Sequence, residues 1–122
     1  MSVDNTMPIE KHLLSLSTCG CYINTQDIVM IGEKLGLELA YKKRSMLLQT
    51  LFLHAKNEQQ HCELVTLLCT LLDEKANTLL EISTHYPKIN SLMQHTMLKI
   101  NATKLLLQRE LALYVKESNG ND

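Results

Sequence analysis

The absence of helix breakers over most of the chain is the sequence feature that most constrains its fold. From Leu37 to Ser118 there is no glycine, and Pro87 is the only proline. A β-sheet protein of this size needs many turns, and glycine and proline supply most of them. The long stretch with a single breaker therefore predicts a few long helices.

The composition agrees with a helical globular domain. Hydrophobic residues make up 45% and charged residues 20% of the 122 residues, which is ordinary usage for one folded domain. Leucine far outnumbers valine and isoleucine, tryptophan is absent and Phe52 is the only phenylalanine, a balance that favours helices over strands. We predict one all-α domain over residues 1–122, with frayed polar ends at residues 1–5 and 118–122.

The strongest helical pattern runs from about residue 58 to residue 84. Its apolar residues recur at spacings of three and four, which indicates a seam for a neighbouring helix. The seam, which we predict to be an interface, consists of Val65, Leu68, Leu72, Ala76 and Leu79. A second apolar row beside it widens this face beyond what one partner helix covers. Either the N-terminal helices or a second copy of the chain is expected to cover the remainder.

A helical hairpin is predicted around Pro87. Proline ends the preceding helix and is tolerated in the first turn of the next one. The fold expected is therefore a bundle of four to five helices built on this long antiparallel hairpin. Acidic residues dominate before the turn and basic residues after it, so we expect Asp73 to lie near Lys99 and Glu63 near Arg109.

The region from residue 25 to residue 56 leaves two arrangements open. Asn24 or Thr25 can cap a helix that begins there, with Asp27 placed favourably in its first turn. Gly36 either closes that helix or bends it. The pattern alone does not distinguish one bent helix from two.

Cys19-Gly20-Cys21 is the most unusual tripeptide in the chain. Two thiols separated by glycine are a candidate for binding a soft metal or for redox chemistry. A zinc site, however, needs about four ligands, and the neighbouring sequence does not supply them. The alternative is that these cysteines are small apolar core residues.

His54, Glu58 and His61 form a second candidate metal site. On an unbroken helix their spacing would place them on one face, and Glu58 with His61 matches the Glu-x-x-His pattern of di-iron bundles. Such a site needs a second copy of that pattern, which the chain lacks. Asn57 is also a plausible helix cap that would separate His54 from the other two residues.

Residues 26–44 resemble a helix-turn-helix in outline. Gly32 and Gly36 suit a tight helix crossing, and Lys42, Lys43 and Arg44 are candidates for contacting phosphates. Lys42 stands where a recognition helix presents an apolar residue, which favours a solvated basic turn instead. Nucleic acid is therefore not the expected partner.

The preferred function is a cytoplasmic helical interaction protein, such as an adaptor, a small chaperone or a regulatory subunit. The alternatives are a metal or thiol-redox protein and a helix-turn-helix regulator. A formal net charge of −1 gives no overall attraction to nucleic acid or membranes, and the four cysteines without an export signal suggest reduced thiols. No catalytic motif or cofactor motif occurs, so an enzyme is not the preferred interpretation and no cofactor is expected. A Cys/His nucleophile pair assembled by the fold stays an open alternative. A protein partner, with a homodimer as the default, is the expectation.

Overall fold

The computed structural model describes residues 8–120, with side chains to Lys116. Residues 8–120 form five helices and two 3-10 turns and contain no strand. The elements are α1 (Ile9–Ser15) with a 3-10 turn (Leu16–Cys19), α2 (Thr25–Lys34), α3 (Arg44–His54), α4 (Glu58–His85), a 3-10 turn (Pro87–Ile89) and α5 (Asn90–Gly120). The predicted all-α bundle of four to five helices is confirmed. The frayed end predicted at residues 1–5 lies outside the described residues, as do residues 121–122. The other frayed end was predicted at residues 118–122, but residues 118–120 are the last residues of α5.

Two asparagine caps determine where the helices begin. The Asn24 side chain accepts a hydrogen bond from the Asp27 amide at 2.8 Å, and Asp27 accepts one from the Asn24 amide at 3.0 Å, which completes a capping box. Asn57 caps α4 in the same way, accepting from the Gln60 amide at 2.8 Å. Residues 25–56 form two helices rather than one bent helix, because α2 ends at Lys34 and α3 begins at Arg44.

The segment that joins α2 to α3 folds back over α2. The Leu37 amide donates to the Gly32 carbonyl at 2.8 Å, and Gly36 adopts a left-handed φ of 81° that suits glycine. Leu39 then packs so closely on α2 that a Cβ at Gly32 would lie 2.6 Å from its Cδ1 atom. Gly32 is therefore a packing residue, and the chain crosses α2 at that point.

The antiparallel hairpin of α4 and α5 forms as predicted, but its register differs. Asp73 pairs with Lys104 rather than with Lys99, and neither Glu63 nor Arg109 makes an ion pair within residues 8–116. The difference arises at the turn, because the 3-10 turn Pro87–Ile89 separates the helices. The midpoint of the hairpin consequently lies beyond Pro87, and every pairing partner on α5 moves toward its C-terminus.

The new register can be tested with a double-mutant cycle. Charge reversal of Asp73 to Lys, or of Lys104 to Glu, is expected to lower the free energy of unfolding, and the double reversal to recover about 0.5 kcal/mol because the pair is solvent-exposed. Urea unfolding at low salt measures this coupling. Lys99→Glu is the control, since combining it with Asp73→Lys should recover nothing. Recovery with Lys99→Glu in place of Lys104→Glu would contradict the observed register.

The core lies along α4, where three leucines are fully buried. Leu64, Leu68 and Leu72 each have an exposed fraction of 0%, and α2, α3 and α5 all contact α4. A partly buried ion pair between Lys75 and Asp27, 2.9 Å long, also joins α4 to α2. The wide apolar face of α4 is thus covered by the chain itself. None of the helices described over residues 8–120 has the length and apolar character required to span a membrane.

Candidate interaction surface

The side of α5 that faces away from the core carries an apolar row. It lies opposite the fully buried Ile100 and Leu107, and successive members are three or four residues apart. We call this row the α5 outer face, and it consists of Leu98, Ala102, Leu105, Arg109 and Ala112. Leu98 is 69% exposed and Leu105 is 66% exposed. Two leucines one heptad apart, with alanine between them, form a continuous apolar ridge rather than scattered exposed side chains.

A cleft of about 340 Å³ borders this ridge on the side of α1. Its apolar lining includes Leu16, Ala102 and Leu106, while His12 and Lys99 are the ionisable side chains at its edge. Ala102 and Lys99 adjoin both the cleft and the α5 outer face. A partner lying along α5 can therefore also place a side chain in the cleft.

Thr96 of α5 makes a hydrogen bond to a residue that lines the cleft, Cys19. The Thr96 side chain is 2% exposed, and its hydroxyl group hydrogen-bonds to the carbonyls of Cys19 and Leu92. The link to Cys19 joins α5 to the 3-10 turn after α1 across the end of the cleft. The 3-10 turn and α5, which both line the cleft, are thus joined by this hydrogen bond.

The thiols of the predicted Cys19–Cys21 site are placed differently from each other. Cys19 is half-buried at the edge of the cleft, whereas Cys21 is 2% exposed. Burial raises the pKa of the Cys21 thiol, although Lys75 opposes the shift, so this thiol stays protonated at neutral pH. Protonated thiols are poor nucleophiles and poor metal ligands, and this environment suits the core role of Cys21.

The second predicted metal site is divided between two helices. His54 ends α3, and Asn57 begins α4 as its cap, so His54 does not continue the face formed by Glu58 and His61. Glu58 is exposed in the first turn of α4, where its charge stabilises the helix dipole. Across the described part of the chain, no three His, Cys, Asp or Glu side chains are grouped so that they could hold one metal ion.

His61 instead belongs to a buried aromatic cluster. Its ring stacks on Tyr114 of α5 with 4.5 Å between centroids, and it meets the Phe52 ring of α3 edge-on at 6.2 Å. The Tyr114 hydroxyl donates to the Lys56 carbonyl at 2.7 Å, which fixes that stack. His61 is 6% exposed, and neither ring nitrogen has a hydrogen-bond partner among the residues described.

The predicted helix-turn-helix is not formed. The connection between α2 and α3 occupies residues 35–43, whereas the motif uses a turn of three or four residues. Arg44, predicted to contact phosphate, donates to the Ile23 carbonyl at 2.9 Å and lies 4.3 Å above the Tyr22 ring. Lys42 and Lys43 remain exposed before α3. Arg44 thus anchors the loop that precedes α2. The connection of residues 35–43 is too long for the turn of a helix-turn-helix, so α3 is not placed as a recognition helix.

The seam predicted as an interface is buried within the chain. Val65, Leu68, Leu72 and Ala76 are between 0% and 7% exposed, and Leu79 is half-buried. Their partners are the other helices of the same chain, so this face needs no second copy to cover it. The apolar spacing of α4 predicted the interface there, whereas the exposed apolar row of α5 was not among the predicted sites. The exposed leucines of α5 could have been identified from the sequence, since Leu98 and Leu105 lie off the apolar stripe formed by Ile100, Leu107 and Leu111.

No protein-family model, no curated protein and no solved structure was found to match this chain.

Proposed function

We propose that this chain is a helical interaction protein that binds another protein through the α5 outer face. The observation that carries the proposal is the pair of exposed leucines, Leu98 and Leu105, on the longest helix of the chain. Contiguous exposed apolar rows of this kind mark interaction sites in soluble proteins. The burial of the α4 seam supports the same conclusion, because that apolar row is covered within the chain and is not available to a partner.

The setting we propose is the cytoplasm, which the four free cysteines support. Adaptors, small chaperones and regulatory subunits all work through helical surfaces without chemistry of their own. The homodimer expected from the sequence stays a prediction, since its original basis, the α4 seam, is buried in the chain.

Affinity purification of tagged variants from the native cell tests the proposal. Leu98→Gln combined with Leu105→Gln is expected to reduce the amount of the bound protein at least about tenfold, because interfaces depend on a few central apolar residues. Leu53→Gln is the matched control, since Leu53 is 70% exposed but lies on α3. A partner retained equally by the double variant and by Leu53→Gln would contradict the proposed surface.

A further inference from the structure

We infer that the partner of the α5 outer face is an amphipathic helix with acidic residues beside its apolar stripe, an inference that rests on the function proposed above. The basis is charge. Over its whole length, Asn90–Gly120, α5 has four basic residues and two acidic residues, Glu110 and Glu117, which leaves it with a net positive charge. Three of the basic side chains make no ion pair within residues 8–116, namely Lys99, Arg109 and Lys116. Complementary charge across an interface selects partners, so this surface favours an acidic one.

The shape of the surface favours a helix as the partner. Leu98, Ala102, Leu105 and Ala112 alternate large and small side chains at spacings of a helical seam. The alanines allow a partner backbone to approach closely, while the leucines enter spaces between its side chains. An acidic side chain beside that seam would reach Lys99 at the edge of the cleft.

A second copy of the chain does not offer such a helix. Its α5 has the same excess of positive charge, which opposes a symmetric pairing of two α5 outer faces. The outward side of α4 is acidic, with Glu63, Glu74 and Glu81 all exposed. The exposed residues between Glu63 and Glu74 are Thr66, Thr70 and Asp73, so that stretch has charge without an exposed apolar residue. The exposed apolar residues of α4, Leu80 and Ile82, lie near the hairpin turn.

Two synthetic helical peptides of equal length test the inference. Both have leucine at heptad positions a and d, and the other positions are glutamate-rich in one and lysine-rich in the other. Fluorescence anisotropy should show that the full chain binds the glutamate peptide at least about tenfold more tightly. Lys99→Glu combined with Arg109→Glu should reverse this preference. Lys88→Glu, an exposed change at the hairpin turn, should leave it unchanged.

Separate variants test the apolar residues of the α5 outer face. Leu98→Gln with Leu105→Gln should abolish binding of the glutamate peptide, while Leu53→Gln should retain it, and circular dichroism checks that each variant is folded. Equal affinity for the two peptides, or a preference unaffected by Lys99→Glu and Arg109→Glu, would overturn the acidic-partner inference alone. Binding that survives loss of both leucines would overturn the proposed surface as well.

Light scattering tests the remaining alternative, which is that a second copy of the chain occupies the α5 outer face. The inference predicts a monomer at the concentrations used for binding. A dimer that Leu98→Gln and Leu105→Gln convert to a monomer would identify a second copy as the occupant and overturn the acidic-partner inference, while the proposed surface would stand.

Discussion

Replacing Leu68 by alanine is expected to lower the free energy of unfolding by about 3 kcal/mol, because the substitution removes buried methyl groups and leaves a cavity. Leu68 has an exposed fraction of 0% and lies in the core-facing seam of α4, the helix that packs against α2, α3 and α5. Urea unfolding followed by circular dichroism measures the change. Leu72, the other fully buried leucine of the α4 seam, should respond to the same substitution in a similar way.

Leu105→Ala is the matched control for Leu68→Ala. The same atoms are removed from a side chain that is 66% exposed, so the change in unfolding free energy should stay within about 0.5 kcal/mol. The loss caused by Leu68→Ala should also be independent of protein concentration. A loss that diminishes as concentration rises would show that a second copy covers the α4 seam, and would contradict the intramolecular core described above.

The starts of α2 and α4 and the end of α4 were predictable because their causes are local. Asn57 caps α4 through a hydrogen bond within one turn, and proline at position 87 ends that helix wherever the chain goes next. The spacing of Leu64, Leu68 and Leu72 likewise requires a buried face. Each of these effects depends on residues within a few positions of one another, so the local sequence is enough to predict it.

The register and the exposed row on α5 were not predictable because they depend on the tertiary arrangement. The 3-10 turn Pro87–Ile89 shifts Asp73 from Lys99 to Lys104, and charge patterns along two helices fit several registers equally well. Which leucines remain exposed depends on how many helices surround α4. Once α2 and α3 cover the α4 seam, most of the exposed leucines are those of α5, with Leu53 on α3 and Leu80 on α4 as the others. The sequence contains both apolar sets but does not indicate which one the fold covers.

The same limit applies to the chemistry of the candidate sites. The spacing of Glu58 and His61 is correct for two ligands on one helix, yet only His61 points inward. Whether an inward histidine meets ligands or aromatic rings depends on α3 and α5, which supply Phe52 and Tyr114. A pattern within one helix cannot specify the residues that other helices bring to it.

His61 makes the stability of the protein depend on pH. Burial lowers the pKa of His61 below its usual 6.5, and the Glu110 carboxylate opposes that shift. Below about pH 6.5 the unfolded chain therefore binds a proton at this residue that the folded chain does not. Stability is unaffected by His61 above that pH and falls as the pH drops from there toward the folded pKa. The slope for one proton cannot exceed about 1.4 kcal/mol per pH unit.

Replacing His61 by phenylalanine should remove this pH dependence and raise stability at pH 7. The substitution keeps a ring between Phe52 and Tyr114 and eliminates two buried nitrogens without hydrogen-bond partners, which is expected to add about 1 kcal/mol. Urea unfolding of both proteins at pH 7.5 and pH 5.5 measures the two effects, since about one pH unit on either side of 6.5 brackets the titration of the unfolded histidine. His95→Gln, at an exposed position on α5, should retain the pH dependence of the unmodified protein. If His61→Phe lost as much stability on acidification as the unmodified protein, the acid sensitivity would lie elsewhere in the chain, whereas its loss only in His61→Phe would locate it in the ring that joins α3, α4 and α5.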